Sequence, residues 1–411
     1  MSVSLRLLTR LVILCLVIGA VGIGAVRAQV SAHPNVIVQV YETAPTQTDP
    51  NAPSQPSFLA SAGATLRKIM DVTSIDPVFI APDEQHLAQM VNSETNGGQL
   101  IITDLPQKTT TAFPANKGHS VLWVSFSPDG HYLAYTTAAS EIDEWTLNLV
   151  DLASKVRIEF AGPYGLKNNG TPPANTFTGA ANVVAWSPDD KRIYVQTYFP
   201  FSAEGGFDTL YAIDLSSVTF DKSGSYPIPP ATRLIKEGLQ LINFAFSPDT
   251  STLAYTFYDT TVPPTNEQAG AQRIANTVVL LTIATGQART IFHADAGKGL
   301  GFSFTWSGDG KKFLFQNGDF QPTYFVVASN VLIYDVASGA LVQSPPLTVD
   351  ASESFQEMMA CGDTLYYSIG KESNTGDSTE YLFSAPIADL KTHSAPLATG
   401  IDIVFLACGP A

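Results

Sequence analysis

Charge is scarce in this sequence, and positive charge is scarcer than negative. Charged residues make up 14% of the 411, with 22 Lys+Arg against 37 Asp+Glu for a formal net charge of −15. Phosphate binding is mainly electrostatic, so an acidic chain with no basic run is poorly built for nucleic acid or for anionic lipid head groups. Low charge does not imply disorder here, because 45% of the residues are apolar, enough for a large core. Helical periodicity is almost absent, which excludes a helix-based fold. The six histidines (His33, His86, His119, His131, His293 and His393) are scattered without metal-ligand spacing. Neither His-Glu-x-x-His nor the Gly-x-Ser-x-Gly elbow of hydrolases occurs. Gly97-Gly98 and Gly205-Gly206 stand between strands and lead into no helix, so no phosphate-cradling loop is expected. These gaps leave no catalytic residue to name and predict neither a cofactor nor a bound metal.

Long apolar runs are also missing, with one exception. Arg6 and Arg10 precede LVILCLVIGAVGIGAV, which ends at Arg27 and is followed by Ala28. A charged start, a short apolar stretch and small or branched residues before a cut are the layout of a secretory signal peptide. The run is shorter than the ~20 residues that a spanning helix prefers. Residues 1–28 are therefore expected to be removed, and residues 29–411 to be exported as one soluble domain, secreted or periplasmic. A chain tethered by an uncleaved leader is the alternative. Cysteine is rare too. Beyond Cys15 in the leader there are only Cys361 and Cys408, each within an Ala-Cys-Gly triplet. An oxidising compartment permits a disulfide between them, and two buried free thiols are the other reading.

What the chain has in abundance is one turn. VSFSPDGHYLAYTT (124–137), VAWSPDDKRIYVQT (184–197), FAFSPDTSTLAYTF (244–257) and FTWSGDGKKFLFQN (304–317) align, with Pro128, Pro188, Pro248 and Gly308 spaced by 60 residues. Weaker copies begin at Val78, at Met358 and near the C-terminus. An alternating stretch enters each turn and another leaves it, the period-two signature of a hairpin. Proline presets φ, aspartate bonds the local backbone and glycine supplies positive φ. The turn position alone accounts for Asp83, Asp129, Asp189, Asp249 and Asp309. A third strand follows in each unit (LNLVDLASKV, LYAIDLSSV, VVLLTIATGQ, VLIYDVASGA), and then a short fourth.

Four antiparallel strands repeated in this way read as the blades of an all-β propeller. The FSPDG-hairpin-LxxxDLxxG pattern resembles the TolB-type or WD-like (PD40-type) propeller repeats of exported bacterial proteins, over nearly all of the chain after the leader. It departs from true WD repeats, since no Gly-His opening or Trp-Asp ending recurs, and it leaves no room for the N-terminal α/β domain usual in TolB. Seven blades are expected, over 73–117, 118–178, 179–238, 239–297, 298–349 and 350–399, with the last made by 400–411 together with 33–72. Six blades with irregular ends is the alternative. Trp186 and Trp306 replace the Phe of the motif and are expected between blades.

Loop length is uneven. The turns between first and second strands are short everywhere, whereas the connections between second and third strands grow long in the third, fourth and fifth units. Those connections share one face of a propeller, and here they carry Tyr198, Phe199, Phe201, Phe207, Tyr258, Phe320, Tyr324 and Phe325. Aromatics among polar neighbours suit a binding surface, and long loops are often functional. The reading that follows is a non-catalytic module, a monomeric propeller that grips a protein or peptide partner or serves as an envelope scaffold. The alternative is a propeller enzyme or carbohydrate-binding protein with its site at the channel mouth. Against it, the first strands read Val-Ser-Phe, Val-Ala-Trp, Phe-Ala-Phe and Phe-Thr-Trp, expected to turn small or apolar side chains to the channel.

Overall fold

A computed structural model describes residues 35–41, 56–62, 65–71, 77–93, 97–139, 145–161, 180–198, 209–229, 231–235, 241–259, 275–295, 298–320, 326–327, 330–347, 353–372, 378–391, 394–400 and 402–409. Among them every regular element is a strand. Sheet 1 runs β4 (Val78–Ile80), β5 (His86–Ser93), β6 (Gly97–Asp104), β7 (Thr109–Pro114). Sheet 2 runs β8 (Ser120–Phe126), β9 (Tyr132–Ala138), β10 (Trp145–Asp151), β11 (Arg157–Ala161), and sheet 3 β12 (Ala180–Trp186), β13 (Arg192–Tyr198), β14 (Thr209–Asp214), β16 (Ala231–Arg233). Sheet 4 holds β17 (Leu241–Phe246), β18 (Thr252–Phe257), β19 (Thr277–Thr282) and β20 (Gln287–His293). Sheet 5 holds β21 (Lys298–Trp306), β22 (Lys312–Phe320), β24 (Val331–Asp335) and β25 (Leu341–Gln343), with β23 (Val326–Val327) beside β22. Sheet 6 is β26 (Glu353–Cys361), β27 (Thr364–Glu372), β28 (Ser378–Pro386) and β29 (Ala398–Gly400). In sheet 7 the two chain regions meet: β30 (Asp402–Gly409) pairs antiparallel with β1 (Asn35–Tyr41), followed by β2 (Pro56–Ala62) and β3 (Thr65–Asp71).

The turns between first and second strands owe their shape to a repeated brace. Ser127, Ser187, Ser247 and Ser307 each donate a hydroxyl hydrogen bond to the aspartate two residues on, at 2.6–2.8 Å. Each serine oxygen in turn accepts the backbone N–H five residues on. The next turn position needs positive φ, which Gly130 (72°), Asp190 (57°), Thr250 (52°) and Gly310 (69°) all adopt. Backbone polar groups inside the turn are thus paired locally, and the strands leave in hairpin register.

Alternation sends successive side chains of each strand to opposite neighbours. Phe126 and Tyr135 pack with Leu100 and Ile102 between sheets 1 and 2, while Trp145 and Leu147 pack with Trp186 and Ile193 between sheets 2 and 3. Tyr194 meets Phe246 between sheets 3 and 4, and Val278 meets Trp306 and Phe313 between sheets 4 and 5. Leu314 meets Met358 between sheets 5 and 6, Tyr366 meets Phe405 between 6 and 7, and Ile37 meets Val78 and Ile80 between 7 and 1. Antiparallel sheets that bury both faces against neighbours, leaving outer strands such as β16 and β25 exposed, make a β-propeller. The motif residues of the first strands do not turn to the channel as expected. In sheet 3, Val184 and Ala185 lie in one seam and Trp186 in the other, because the bulge between Val183 and Ala185 interrupts the alternation of a strand flanked by two sheets.

Two features lie outside the repeat. Residues 224–227, within the span expected for the third unit, leave sheet 3 and run parallel to β11 as a fifth strand, β15 (Gly224–Pro227), of sheet 2. Phe220 on the way stacks on Tyr132 with centroids 5.0 Å apart, and Ser223 Oγ accepts the Arg157 backbone N–H at 3.1 Å. The strap covers an edge that would otherwise expose unpaired backbone groups. The second feature is a bulge in the innermost strand of sheets 2 to 7. In β21 that bulge contains Gly301, where an added Cβ would fall 2.7 Å from the Cβ of Gln316 and closer still to its amide oxygen. Gly301→Ala is expected to lower stability by ~1–3 kcal/mol through overpacking, read as a shift in the urea midpoint at unchanged slope. A variant with the parental midpoint would contradict this close fit.

Candidate functional site

The second strands carry the chain from the short turns to the opposite face, and the long connections spring from their far ends. β13 ends at Tyr198 and β22 at Phe320, whose side chains lie outside the described residues; Tyr258 follows β18 and is half-buried. Phe199, Phe201, Phe207, Tyr324 and Phe325 lie outside the described residues altogether. Tyr198, Tyr258 and Phe320 all follow the same strand position of adjacent sheets, so their backbones emerge on one face.

Where the longest connection leaves and re-enters sheet 4, a residue missed by sequence reasoning holds its base. Asn276, 1% exposed, accepts the Asp259 backbone N–H on Oδ1 at 2.8 Å and donates from Nδ2 to the Asp259 carbonyl at 3.0 Å. Its own backbone N–H reaches the Phe257 carbonyl at 3.2 Å, and its carbonyl accepts from Ala294 at 2.8 Å. Thr277 adds a hydroxyl bond to Asn276 Oδ1 at 2.9 Å and lies 3.1 Å from His293 Nδ1. An asparagine before a strand is a common sequence event, so only the paired backbone across the loop base marks this one. Asn92 bridges in the same manner from β5 to Val121 of the next sheet, with both bonds at 2.9 Å.

On the opposite face the repeated acids are committed to their turns. The Ser187 hydroxyl holds Asp189 below the ordinary carboxylate range. At Asp129, Asp249 and Asp309 burial pushes upward, but hydrogen bonds from the turn outweigh it, leaving Asp309 at about 2. Asp190 behaves differently. Burial first, then a hydrogen bond to Asp129 and the charges of Asp129 and Asp189, push it up to about 8. Its partner Asp129 also has His131 Nδ1 at 2.6 Å. This shift favours the protonated carboxyl on Asp190 at neutral pH, placed to share its proton with Asp129 in the turn of sheet 2. A carboxyl whose folded pKa is raised binds its proton more tightly folded than unfolded, so its contribution to stability falls as pH rises from about 4 through about 8. Asp190→Asn, which keeps the donor and tolerates this φ, is expected to flatten that part of the curve and to be the more stable protein at pH 9. Urea midpoints at pH 5, 7 and 9 test it, and parallel curves for the two proteins would count against the shared proton.

Among the described residues no group of three or more His, Cys, Asp or Glu is arranged to hold a metal ion. No family model matches the sequence, and no curated protein matches it. Its likenesses are to solved propellers. TolB from Acinetobacter baumannii is 15% identical with a TM-score of 0.40, over 75% of this chain and 63% of that one. An oligogalacturonate lyase in complex with manganese is 14% identical with a TM-score of 0.49, over 86% and 84%. The β-propeller domain of the Trilobed protease from Pyrococcus furiosus is 12% identical with a TM-score of 0.45, over 75% and 84%. The chain thus spans under two thirds of the TolB it resembles, and the likenesses are of fold.

Proposed function

We propose that this chain is an exported, non-catalytic binding or scaffold propeller that grips a protein or peptide through the second-to-third-strand connections of sheets 3, 4 and 5. The reading rests on the contrast between the two faces. One face is made of short turns whose acids are bonded into serine braces. The other carries long connections, the longest anchored at its base by the buried Asn276. A loop pinned at both ends on a rigid sheet loses less entropy on binding than a free one, which favours affinity. The seven seams, including that between Ile37 and Val78, support a single monomeric ring of seven blades. Export with cleavage of residues 1–28 is supported by the leader and by the Cys361–Cys408 disulfide, a bond that persists in oxidising compartments. No helix among the described residues is long and apolar enough to cross a membrane.

The test is co-purification from the native envelope, comparing the parent chain with one shortened between Asp259 and Asn276. The partner held by the parent should be lost by the shortened chain at unchanged melting temperature. Retention of every partner would remove the loop face from the reading. Binding or cleavage of an oligosaccharide by both proteins would replace it with the carbohydrate alternative.

A further inference from the structure

The seams are not uniformly apolar. Gln196, Thr256 and Gln316 recur at the 60-residue spacing of the turns, each on the second strand of its sheet, and are 3%, 1% and 3% exposed. Ser368 stands at the equivalent place on β27 and is fully buried. Strand alternation sets the direction of each. Tyr194 packs between sheets 3 and 4, so Gln196, two residues on, faces the same seam. Thr256 follows Ala254 into the seam between sheets 4 and 5, Gln316 follows Leu314 into that between 5 and 6, and Ser368 follows Tyr366 into that between 6 and 7.

Gln196 Oε1, Thr256 Oγ1, Gln316 Nε2 and Ser368 Oγ have no hydrogen-bond partner among the described residues. Two further buried polar atoms in these same seams share the condition. Tyr194 Oη faces the seam of Gln196, and Asn317 Oδ1, on the strand side of Phe315, faces the seam of Thr256. An orphaned buried polar atom costs about 1–3 kcal/mol. Four such atoms at matched positions, with two more beside them, call for a compensating partner. The atoms are too enclosed for an organic ligand to reach, since each exposes less than 1 Å². What fits is a molecule that both donates and accepts, matching the mixed set of oxygens and one amide nitrogen, and small enough for a closed seam.

We propose that these four seams bind internal water, and that the polar residue near the far end of the second strand is a water-binding position repeated from sheet to sheet. The bulge in the innermost strand lies beside this level. In sheet 5 Gly301, in the bulge, yields its side-chain space to Gln316, which keeps the glutamine amide at the seam. Water bonded in this way joins adjacent sheets where side chains do not reach, and does so at a modest entropic cost.

A high-resolution crystal structure of the parent chain, with that of Thr256→Val, tests the proposal. Ordered water is expected within hydrogen-bond distance of Tyr194 Oη, Gln196 Oε1, Thr256 Oγ1, Gln316 Nε2 and Ser368 Oγ in the parent. Thr256→Val should lose the water between sheets 4 and 5 and melt lower by about 2 °C, since removing an anchor orphans the groups that shared the water. Protein partners or dry seams at these atoms in the parent would overturn it. So would a Thr256→Val variant that is as stable as the parent or more so. If the variant does not fold, the parent crystal alone decides.

Discussion

Replacing Cys361 and Cys408 together by alanine is expected to lower the unfolding free energy by up to ~4 kcal/mol, the loop-closure term for a bridge across about 50 residues. The pair spans 47 residues and joins β26 of sheet 6 to β30 of sheet 7, with Cα atoms 5.5 Å apart. Cys361 and Cys408 each stand in an Ala-Cys-Gly triplet at the outgoing end of the innermost strand of their sheet. The location amplifies the effect. Sheet 7 joins β30 to β1, β2 and β3 without a covalent connection between β30 and β1, and β30 is held by ladder bonds, by the apolar contacts of Ile403 and Phe405 and by the Ile403 N–H donating to Glu380 Oε2 at 3.1 Å. The bridge is the one covalent link from that strand to the rest of the ring other than the chain leading into it. Urea unfolding with and without reductant, compared with the double variant, measures the contribution. An unchanged midpoint on full reduction would show that the ladder alone holds sheet 7.

Trp306→Ala should be as severe, at ~3–5 kcal/mol, the range for removing a buried aromatic and leaving a cavity. Trp306 is fully buried between sheets 4 and 5, lies 5.1 Å from the Phe313 ring, and donates from Nε1 to the Ala245 carbonyl at 3.1 Å. Trp186 makes the same bond to the Ser125 carbonyl of sheet 2 at 3.3 Å. Both tryptophans reach back to the preceding sheet, whose own motif residue is Phe126 or Phe246. Trp306→Phe should therefore cost much less than the alanine change, since phenylalanine fills this position in two other units and forfeits mainly the bond. Chemical denaturation of the three proteins separates packing from the bond. Equal losses for the phenylalanine and alanine variants would put the whole effect on the indole N–H, and a loss under 1 kcal/mol for alanine would contradict the seam as described.

The sequence was readable where the physics is local. Serine, proline and aspartate dictate the turn through bonds that span five residues, as in Ser187, Asp189 and Arg192, and period-two alternation marks the hairpins on either side. The candidate site was far less readable. Asp190 looks like any turn acid until the turn of sheet 2 places Asp129 against it. Gln196, Thr256 and Gln316 stand in plain view at one spacing, yet their isolation depends on which sheet closes over them. The aromatic residues singled out in the long connections have no counterpart among the described side chains except Tyr258.

By itself, then, the sequence determined an all-β repeat of four-stranded units, where their short turns fall, and that the turn acids are structural, because each depends on neighbours within a few residues. Only the tertiary structure decided that Cys361 meets Cys408, that β15 deserts its own unit to cover the edge of sheet 2, and that Asn276 clamps the longest connection. Those outcomes are pairings between residues far apart in the chain, or between a side chain and a backbone across a loop, and no local pattern of residue types encodes which partner a free edge or a buried polar atom will find.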